Sequence, residues 1–150
     1  MNTRRALIVV SLAAVVALAS TAARAWASGS TKPTVQIRQT AKGKILVDGR
    51  GFTLYVYSRD TRNHDACVHV SGCSSVWPVM KATGPLKAGS GVKSRLLGTI
   101  KLGRTRQVTY AGHPLYHYIA DSSPGQTDYV GQNVSGGFWY VLNAAGKVIK

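Results

Sequence analysis

The sequence predicts a mainly β fold in which two pseudo-symmetric antiparallel β-meander repeats share one core, sandwich or barrel-like in arrangement. First, the segment Gly51–Asp60 returns 61 residues later as Gly112–Asp121, and both copies fit G-x-x-L-Y-x-Y-x-x-D. Second, each copy is followed by a tryptophan, Trp77 or Trp139, and these two are 62 residues apart. Third, short alternating segments between glycine-containing turns fill the chain after residue 28, without an amphipathic helix of usable length.

The shared positions of the two copies are expected to occupy equivalent places in the fold. They are Leu54, Tyr55, Tyr57, Asp60 and Trp77 in the first repeat, and Leu115, Tyr116, Tyr118, Asp121 and Trp139 in the second. Two meanders that are apolar on both faces cannot bury that surface separately, so we expect one core and an approximate two-fold axis. The tryptophans are expected to close this core by capping its ends.

The N-terminal segment is interpreted as a secretory signal peptide, residues 1–27. Arg4 and Arg5 form a positively charged start, Ala6–Ala19 is apolar apart from one serine, and small residues up to Ala27 supply cleavage patterns. The alternative is a retained membrane anchor. The apolar run is shorter than the roughly 20 residues that span a bilayer, which favours cleavage and export.

Three regions follow from this interpretation: the signal peptide, a flexible leader at residues 28–34, and a single β domain at residues 35–150. The leader is small and polar and contains Pro33. The domain holds both repeats, at about residues 35–80 and 95–150. The connecting segment, Lys81–Lys93, is rich in glycine and is predicted to be irregular.

Each repeat is predicted to contain two short strands, a turn and a third strand. In the first repeat these strands are Val35–Arg38, Ile45–Val47 and Phe52–Ser58, with turns at Ala41–Gly43 and Asp48-Gly49. In the second they are Leu97–Leu102, Arg106–Tyr110 and Pro114–Ala120, and a final hairpin joins Phe138–Leu142 to Lys147–Ile149. Proline cannot donate to a ladder, so Pro114 is placed at the start of its strand.

The third strands are apolar on both faces. Tyr55 and Tyr57 lie on one side of their strand, and Leu54 and Val56 lie on the other. The tyrosine rings are expected to pack in the core while their hydroxyls reach a polar partner or water. A ligand groove lined by tyrosines is the alternative.

The charge is strongly positive. The chain carries 19 Lys and Arg against five acids, for a formal charge of +14, and none of its acids is a glutamate. Loss of the signal peptide removes three arginines and lowers this charge to +11. An exported basic protein meets anionic envelope polymers or lipid headgroups rather than nucleic acid. The alternative is a charge that serves only solubility.

Cys67 and Cys73 are predicted to form a disulfide, because an exported chain reaches an oxidising compartment. The alternative is a nucleophile, since Ser71-Gly72-Cys73 with His69 nearby resembles the reactive segment of a peptidoglycan transpeptidase. A thiolate nucleophile needs a base within reach and no competing disulfide. No serine elbow or phosphate loop appears, and the lack of glutamate excludes a His-Glu-x-x-His zinc hydrolase.

Asp60 and Asp121 end equivalent strands and could in principle form a carboxylate dyad. Aspartic proteases, however, use Asp-Thr/Ser-Gly, and neither aspartate here is followed by that glycine. The favoured interpretation is an Asx-type turn, in which each side-chain oxygen accepts backbone N–H bonds.

Four histidines are weak candidates for a metal site: His64, His69, His113 and His117. On a regular strand His113 and His117 would lie about 13 Å apart, too far to bind one ion. A composite site with His64 or His69 remains geometrically open, but no metal or other cofactor is predicted.

The chain is similar to the secreted repeat of predicted bacterial lipoproteins of unknown function, over about residues 35–150. The resemblance rests on Leu54–Asp60 with Cys67, Cys73 and Trp77-Pro78, and on Gln107–Tyr116 with Asp121, Pro124-Gly125, Gly131-Gln132 and Trp139–Val141. It implies an exported protein, periplasmic or tethered, and names no activity. No cysteine near the cleavage sites could accept a lipid, which departs from a tethered lipoprotein.

The function expected from these observations is that of a non-catalytic module of the cell envelope. It would be periplasmic, envelope-associated or extracellular, at most peripheral to the membrane, and would bind an anionic polymer or an envelope protein. The alternatives are a metal-binding or redox-accessory protein and a peptidoglycan-acting enzyme.

Overall fold

The computed structural model describes residues 34–150. The predicted signal peptide and all but the last residue of the predicted leader lie outside this range. The described residues form a mainly β fold, as predicted, and no helix among them is long and apolar enough to cross a membrane. The strands are β1 (Val35–Thr40), β2 (Gly43–Asp48), β3 (Tyr55–Tyr57), β4 (Leu97–Leu102), β5 (Thr105–Tyr110), β6 (His113–Pro114), β7 (Asn133–Val134), β8 (Gly137–Leu142) and β9 (Val148–Ile149).

Helical structure in this range is limited to single turns. α1 covers Cys73–Val76, and two 3₁₀ turns cover Cys67–His69 and Ser94–Leu96.

Each repeat begins with the same antiparallel hairpin. β1 pairs with β2 from Val35↔Asp48 to Thr40↔Gly43, and β4 pairs with β5 from Leu97↔Tyr110 to Leu102↔Thr105. The two ladders have the same length and are closed by equally short turns. The predicted hairpins are therefore confirmed, with boundaries extended by one or two residues.

A glycine starts both copies of the repeated segment because the chain turns sharply there. Gly51 has a φ of 93° and Gly112 a φ of 84°, a conformation that side chains with a Cβ rarely adopt. Each glycine leads the chain out of the first hairpin and into the centre of the molecule.

The predicted third strands are shorter than expected, and this is a correction. Only Tyr55–Tyr57 and His113–Pro114 are regular strand, whereas Phe52–Ser58 and Pro114–Ala120 were predicted. The reason is that the backbone changes partner along each segment, as the second repeat shows. Its successive N–H groups donate to its own hairpin (Leu115 to Val108), then to the first copy (Tyr116 to Tyr55), and then to the end of the first repeat (His117 to Pro78).

The two repeats exchange strands. β3 of the first repeat pairs with β8 of the second, through Tyr55↔Val141 and Tyr57↔Trp139. In the second repeat Tyr116 forms the corresponding bridge with Val79 of the first. Each repeated segment is thus paired with the tryptophan-bearing segment of the other repeat.

The pseudo-two-fold axis passes between two equivalent tyrosines. The Tyr55 N–H donates to the Tyr116 carbonyl at 2.9 Å, and the Tyr116 N–H donates to the Tyr55 carbonyl at 3.0 Å. Equivalent residues that exchange both bonds of an antiparallel pair are related by a two-fold axis. This arrangement agrees with two repeats that share one core.

Buried side chains form two clusters on the two faces of the third strands, as the alternation predicts. The aromatic cluster contains Tyr55, Tyr57, Trp77, Tyr116, Trp139 and the two cysteines, with Ile45, Val47, Val130 and Val141. The aliphatic cluster contains Val35, Leu46, Leu54, Val56, Met80, Val108, Tyr110, Leu115 and Leu142.

Candidate functional site

The two tryptophans lie together at the centre of the aromatic cluster. Both are fully buried, and their rings stack with centroids 3.7 Å apart and an interplanar angle of 7°. The expectation that they cap the ends of the core was therefore wrong. The reason is the strand exchange, which brings Trp77 and Trp139 to the same place beside the pseudo-two-fold axis.

The tyrosines surround this stacked pair symmetrically. Within each repeat, Tyr55 meets Trp77 and Tyr116 meets Trp139 edge-on, both with centroids 5.2 Å apart. Between repeats, Tyr57 stacks on Trp139 at 4.5 Å and Tyr118 packs on Trp77 at 4.7 Å. Rings at these distances attract each other beyond their buried area. The motif aromatics thus hold the two repeats together.

The motif aspartates form crossed hydrogen bonds with the tyrosines. The Tyr116 hydroxyl donates to Asp60 Oδ2 at 2.9 Å, and the Tyr55 hydroxyl donates to Asp121 Oδ1 at 3.4 Å. Each aspartate therefore accepts from the central tyrosine of the other repeat. The repeated motif needs both residue types because the bond is made between copies.

The Asx-turn interpretation of these aspartates is corrected by this geometry. Asp60 Oδ1 does accept a backbone bond, at 2.8 Å, but from Ala66, six residues along the chain. Asp121 Oδ2 is buried without a hydrogen-bond partner among the described residues. The sequence could not show this, because the partners are 56 and 66 residues away.

Burial sets the protonation behaviour of both carboxyls. It raises the pKa of Asp60 to about 7, against the lowering effect of the bonds from Ala66 and Tyr116. It raises the pKa of Asp121 to about 6, where the Tyr55 bond opposes it and nearby Asp128 adds to it. Burial and the facing carboxylate also raise the pKa of each tyrosine, so both hydroxyls remain donors.

Each aspartate lines a surface cleft, and the two clefts occupy equivalent positions in the two repeats. The Asp60 cleft has a volume of about 250 Å³ and is lined by Tyr57, Ser58, Asp60, His113, Tyr140 and Lys150, among others. The Asp121 cleft has a volume of about 370 Å³ and is lined by Arg50, Phe52, Pro78, His117, Tyr118 and Asp121, among others. The duplication has therefore produced two copies of one concave site with different linings.

In the Asp121 cleft, the Arg50 guanidinium and the His117 ring are held by Asp48. Its Oδ2 accepts from the Arg50 guanidinium at 3.1 Å and contacts His117 Nε2 at 3.2 Å, and its Oδ1 accepts from two backbone N–H groups. Burial opposes ionisation, but these bonds hold the pKa of Asp48 well below its usual range. Sequence reasoning treated Asp48 only as a turn residue.

The four histidines do not meet at one point. His64 and His69 are exposed and their rings stack at 6.0 Å, while His113 lies in the Asp60 cleft and His117 contacts Asp48. Among residues 34–150 no group of three or more His, Cys, Asp or Glu is placed to hold a metal ion.

The predicted disulfide is confirmed. Cys67 and Cys73 are bonded, with Cα atoms 5.4 Å apart, and both are buried. Neither sulfur is free to act as a nucleophile in this state.

The charges are sorted by depth: acidic side chains are mostly buried or half-buried, and basic side chains are mostly exposed. The sequence did not reveal this difference. Of the five aspartates, all within the described residues, only Asp128 is exposed. Of the 15 lysines and arginines in residues 34–150, 14 are exposed and Lys42 is partly buried. The acids lie inward and the cations outward.

An exposed aromatic residue, Phe138, and a half-buried one, Tyr140, were also missed. Phe138 and Tyr140 are on β8, where Trp139 and Val141 point into the aromatic cluster. The available signal was the alternation along β8, which places Phe138 and Tyr140 on the opposite face from Trp139.

These features define a class: a two-repeat β protein in which each copy completes the other. A family model matches the chain at residues 36–81 and 101–143, and its description is a secreted repeat of unknown function. The chain belongs to this family, and it is therefore an exported protein. No curated protein and no solved structure matches the chain.

Proposed function

We propose that this exported protein is a non-catalytic module that binds an anionic polymer of the cell envelope through its cationic surface. The proposal covers polymers with phosphate or carboxylate groups. It places the protein at the envelope without a resident cofactor or metal.

The observation that carries the proposal is the sorting of charge by depth. Nearly every cation of the described residues is exposed, while four of the five acids are buried or half-buried, so surface ion pairs cannot neutralise most of the cations. Asp48 forms an ion pair with Arg50 and also contacts the His117 ring. A surface of one sign attracts a polyanion over distances comparable to the Debye length.

One candidate contact region is a wide groove at the end of the β4–β5 hairpin. This basic groove has a volume of about 730 Å³ and is lined by Thr99, Lys101, Gly103, Arg104, Thr105 and Arg106. Its three cations are exposed, and the Arg106 guanidinium is oriented by bonds to Thr99 Oγ1. An extended polyanion could contact all three cations at once.

A non-catalytic role is supported by the contacts of the side chains that could otherwise act in catalysis. The cysteines are bonded to each other, Asp60 and Asp121 accept from tyrosines, and His117 contacts Asp48. Each of these groups has a structural partner.

The test is adsorption of the purified protein to isolated cell-wall material at low and high salt. The variant Lys101→Gln/Arg104→Gln should weaken binding by about tenfold at low salt, since each cation near an anionic surface contributes about 1 kcal/mol or less. The matched control is Lys42→Gln/Lys44→Gln, which removes the same charge from the equivalent β1–β2 hairpin. Adsorption that does not change with salt would contradict the proposal.

A further inference from the structure

One face of β8 carries two aromatic residues, Phe138 and Tyr140, followed by the buried Leu142. The Phe138 and Tyr140 rings are nearly parallel, with an interplanar angle of 8° and centroids 6.0 Å apart. Phe138 is 43% exposed, and Tyr140 is half-buried against the aliphatic cluster. The two rings form a stacked platform, and at least part of each ring is accessible to solvent.

The platform borders the Asp60 cleft. Tyr140 lines this cleft together with Val148 of β9, which is 40% exposed, and with the buried Tyr57. A ligand that covers the Tyr140 ring would therefore also enter a partly apolar depression. Clefts of this kind, apolar with a few placed polar groups, are typical binding sites for small rings.

Polar groups stand at two sides of this depression. Lys150 Nζ lies 5.7 Å from the centroid of the Tyr140 ring and is exposed. His113 is half-buried, and burial together with Arg62 lowers its pKa, so its ring is neutral and offers one donor and one acceptor. The Ser58 hydroxyl, which accepts from the Phe138 N–H at 2.8 Å, can donate its own proton.

We propose that the Phe138–Tyr140 platform and the Asp60 cleft form a binding site for a sugar ring of an anionic polysaccharide. The apolar C–H face of the ring would lie on the aromatic rings, its carboxylate or phosphate would pair with Lys150, and a hydroxyl would bond His113. This inference rests on the proposed function and names the chemistry of the polymer.

The Asp121 cleft supports the assignment by contrast. The positions equivalent to Phe138 and Tyr140 are Val76 and Pro78, so the ring pair has no counterpart at these positions. Its arginine, Arg50, lies over Phe52 at 5.1 Å and is held by Asp48. Phe52 and Tyr118 also line this cleft, but Phe52 contacts Arg50 and Tyr118 packs on Trp77 and Tyr129. The other cleft therefore supplies a control that lacks the Phe138–Tyr140 ring pair.

The experiment compares two polyanions of known structure, polygalacturonate, which consists of sugar rings, and inorganic polyphosphate, which has none. Affinity is measured by titration calorimetry at several salt concentrations. The variants are Phe138→Ala and Tyr140→Leu, combined and single. Tyr140→Leu keeps apolar contact with the core, and Ile119→Ala, at a residue 67% exposed beside the other cleft, is the matched control.

The expected result is that wild type binds polygalacturonate more tightly than polyphosphate at equal charge, with the difference retained at high salt. The double variant should lose about tenfold in affinity for polygalacturonate, from the loss of two ring contacts, and keep its affinity for polyphosphate. Ile119→Ala should leave both unchanged.

Three outcomes would overturn the inference, and they are distinguishable. If wild type and the double variant bind both polyanions equally, the platform is not a sugar site, although the polyanion proposal stands. If wild type binds neither polyanion, the proposed function fails as well. Binding of polyphosphate alone would also reject the sugar site.

Discussion

The two repeats have the same topology, but their equivalent tyrosine–aspartate hydrogen bonds differ in length. Tyr116 donates to Asp60 at 2.9 Å, whereas the equivalent bond from Tyr55 to Asp121 measures 3.4 Å. Equal topology therefore does not give equal hydrogen bonding. The comparison shows that the Asp60 carboxylate is bound more tightly by its tyrosine than the Asp121 carboxylate is.

The difference comes from the segments that follow the two aspartates. After Asp60 the chain forms the disulfide loop, which delivers the Ala66 N–H to the carboxylate. After Asp121 no cysteine is present, and Tyr129 instead packs on Tyr118 with centroids 3.8 Å apart. The packing of Tyr129 on Tyr118 fills the space but supplies no hydrogen-bond donor to Asp121 Oδ2.

The largest expected effect comes from the stacked tryptophans. Trp77→Ala and Trp139→Ala should each lower the free energy of unfolding by about 3–5 kcal/mol, because both rings are fully buried. Denaturant titration measures this free energy. Phe138→Ala, at an exposed residue, is the control, and its free energy of unfolding should lie within about 0.5 kcal/mol of that of wild type.

Replacement by phenylalanine would sharpen the comparison between the two tryptophans. The Trp139 indole N–H donates to the Val134 carbonyl at 3.0 Å, while the Trp77 indole N–H is buried without a partner in the described residues. Trp139→Phe should therefore cost about 1 kcal/mol more than Trp77→Phe. Equal costs would show that the indole bond contributes nothing.

Much of the framework could be predicted because it depends on local pattern. The alternation around Tyr55 placed the tyrosines and Leu54 on opposite faces, and the glycine turns marked both opening hairpins. The pairing of Cys67 with Cys73 followed from compartment and proximity. These features need only neighbours in the sequence.

The exchange between repeats could not be predicted, since a duplicated sequence is compatible with pairing inside or between copies. The partner of Asp60 is Tyr116, and nothing local distinguishes that bond from one to Tyr55. The same ambiguity concealed the stacking of Trp77 on Trp139 and the two equivalent clefts. The contacts of a motif that occurs twice depend on how its two copies pair in the folded protein.

The third prediction concerns pH. Asp60 and Asp121 have folded-state pKa values raised above the ordinary 3.8, to about 7 and about 6, mainly by burial. The folded state then binds protons more tightly than the unfolded state. Its stabilisation is complete below pH 3.8 and is lost as the pH rises to about 7.

Substitution by asparagine should remove part of this slope. As the pH rises, the wild type should lose about 2 kcal/mol of its free energy of unfolding through Asp60 and about 1 kcal/mol through Asp121, and each asparagine variant should lack its share of this loss. These values are smaller than the full pKa shifts would give, because both carboxyls are only partly buried. Unfolding titrations from pH 4 to pH 8 measure both. His113 acts in the opposite direction but is present in all the proteins, so it cancels. A wild-type slope retained in Asp60→Asn would refute the assignment.

The last prediction tests the unequal tyrosine bonds directly. Above pH 7 Asp60 is mainly ionised, and Tyr116→Phe removes its 2.9 Å donor, so the loss of stability should be about 1–2 kcal/mol. Tyr55→Phe removes only long contacts, at 3.4 Å to Asp121 and to the Gln126 carbonyl, and should cost about 0.5 kcal/mol. The Tyr116→Phe loss should shrink near pH 5, where the Asp60 carboxyl is mostly protonated, and also in an Asp60→Asn background. Equal losses for the two tyrosines at pH 8 would mean that the disulfide loop confers no advantage on the first site, and that the two halves differ in lining alone.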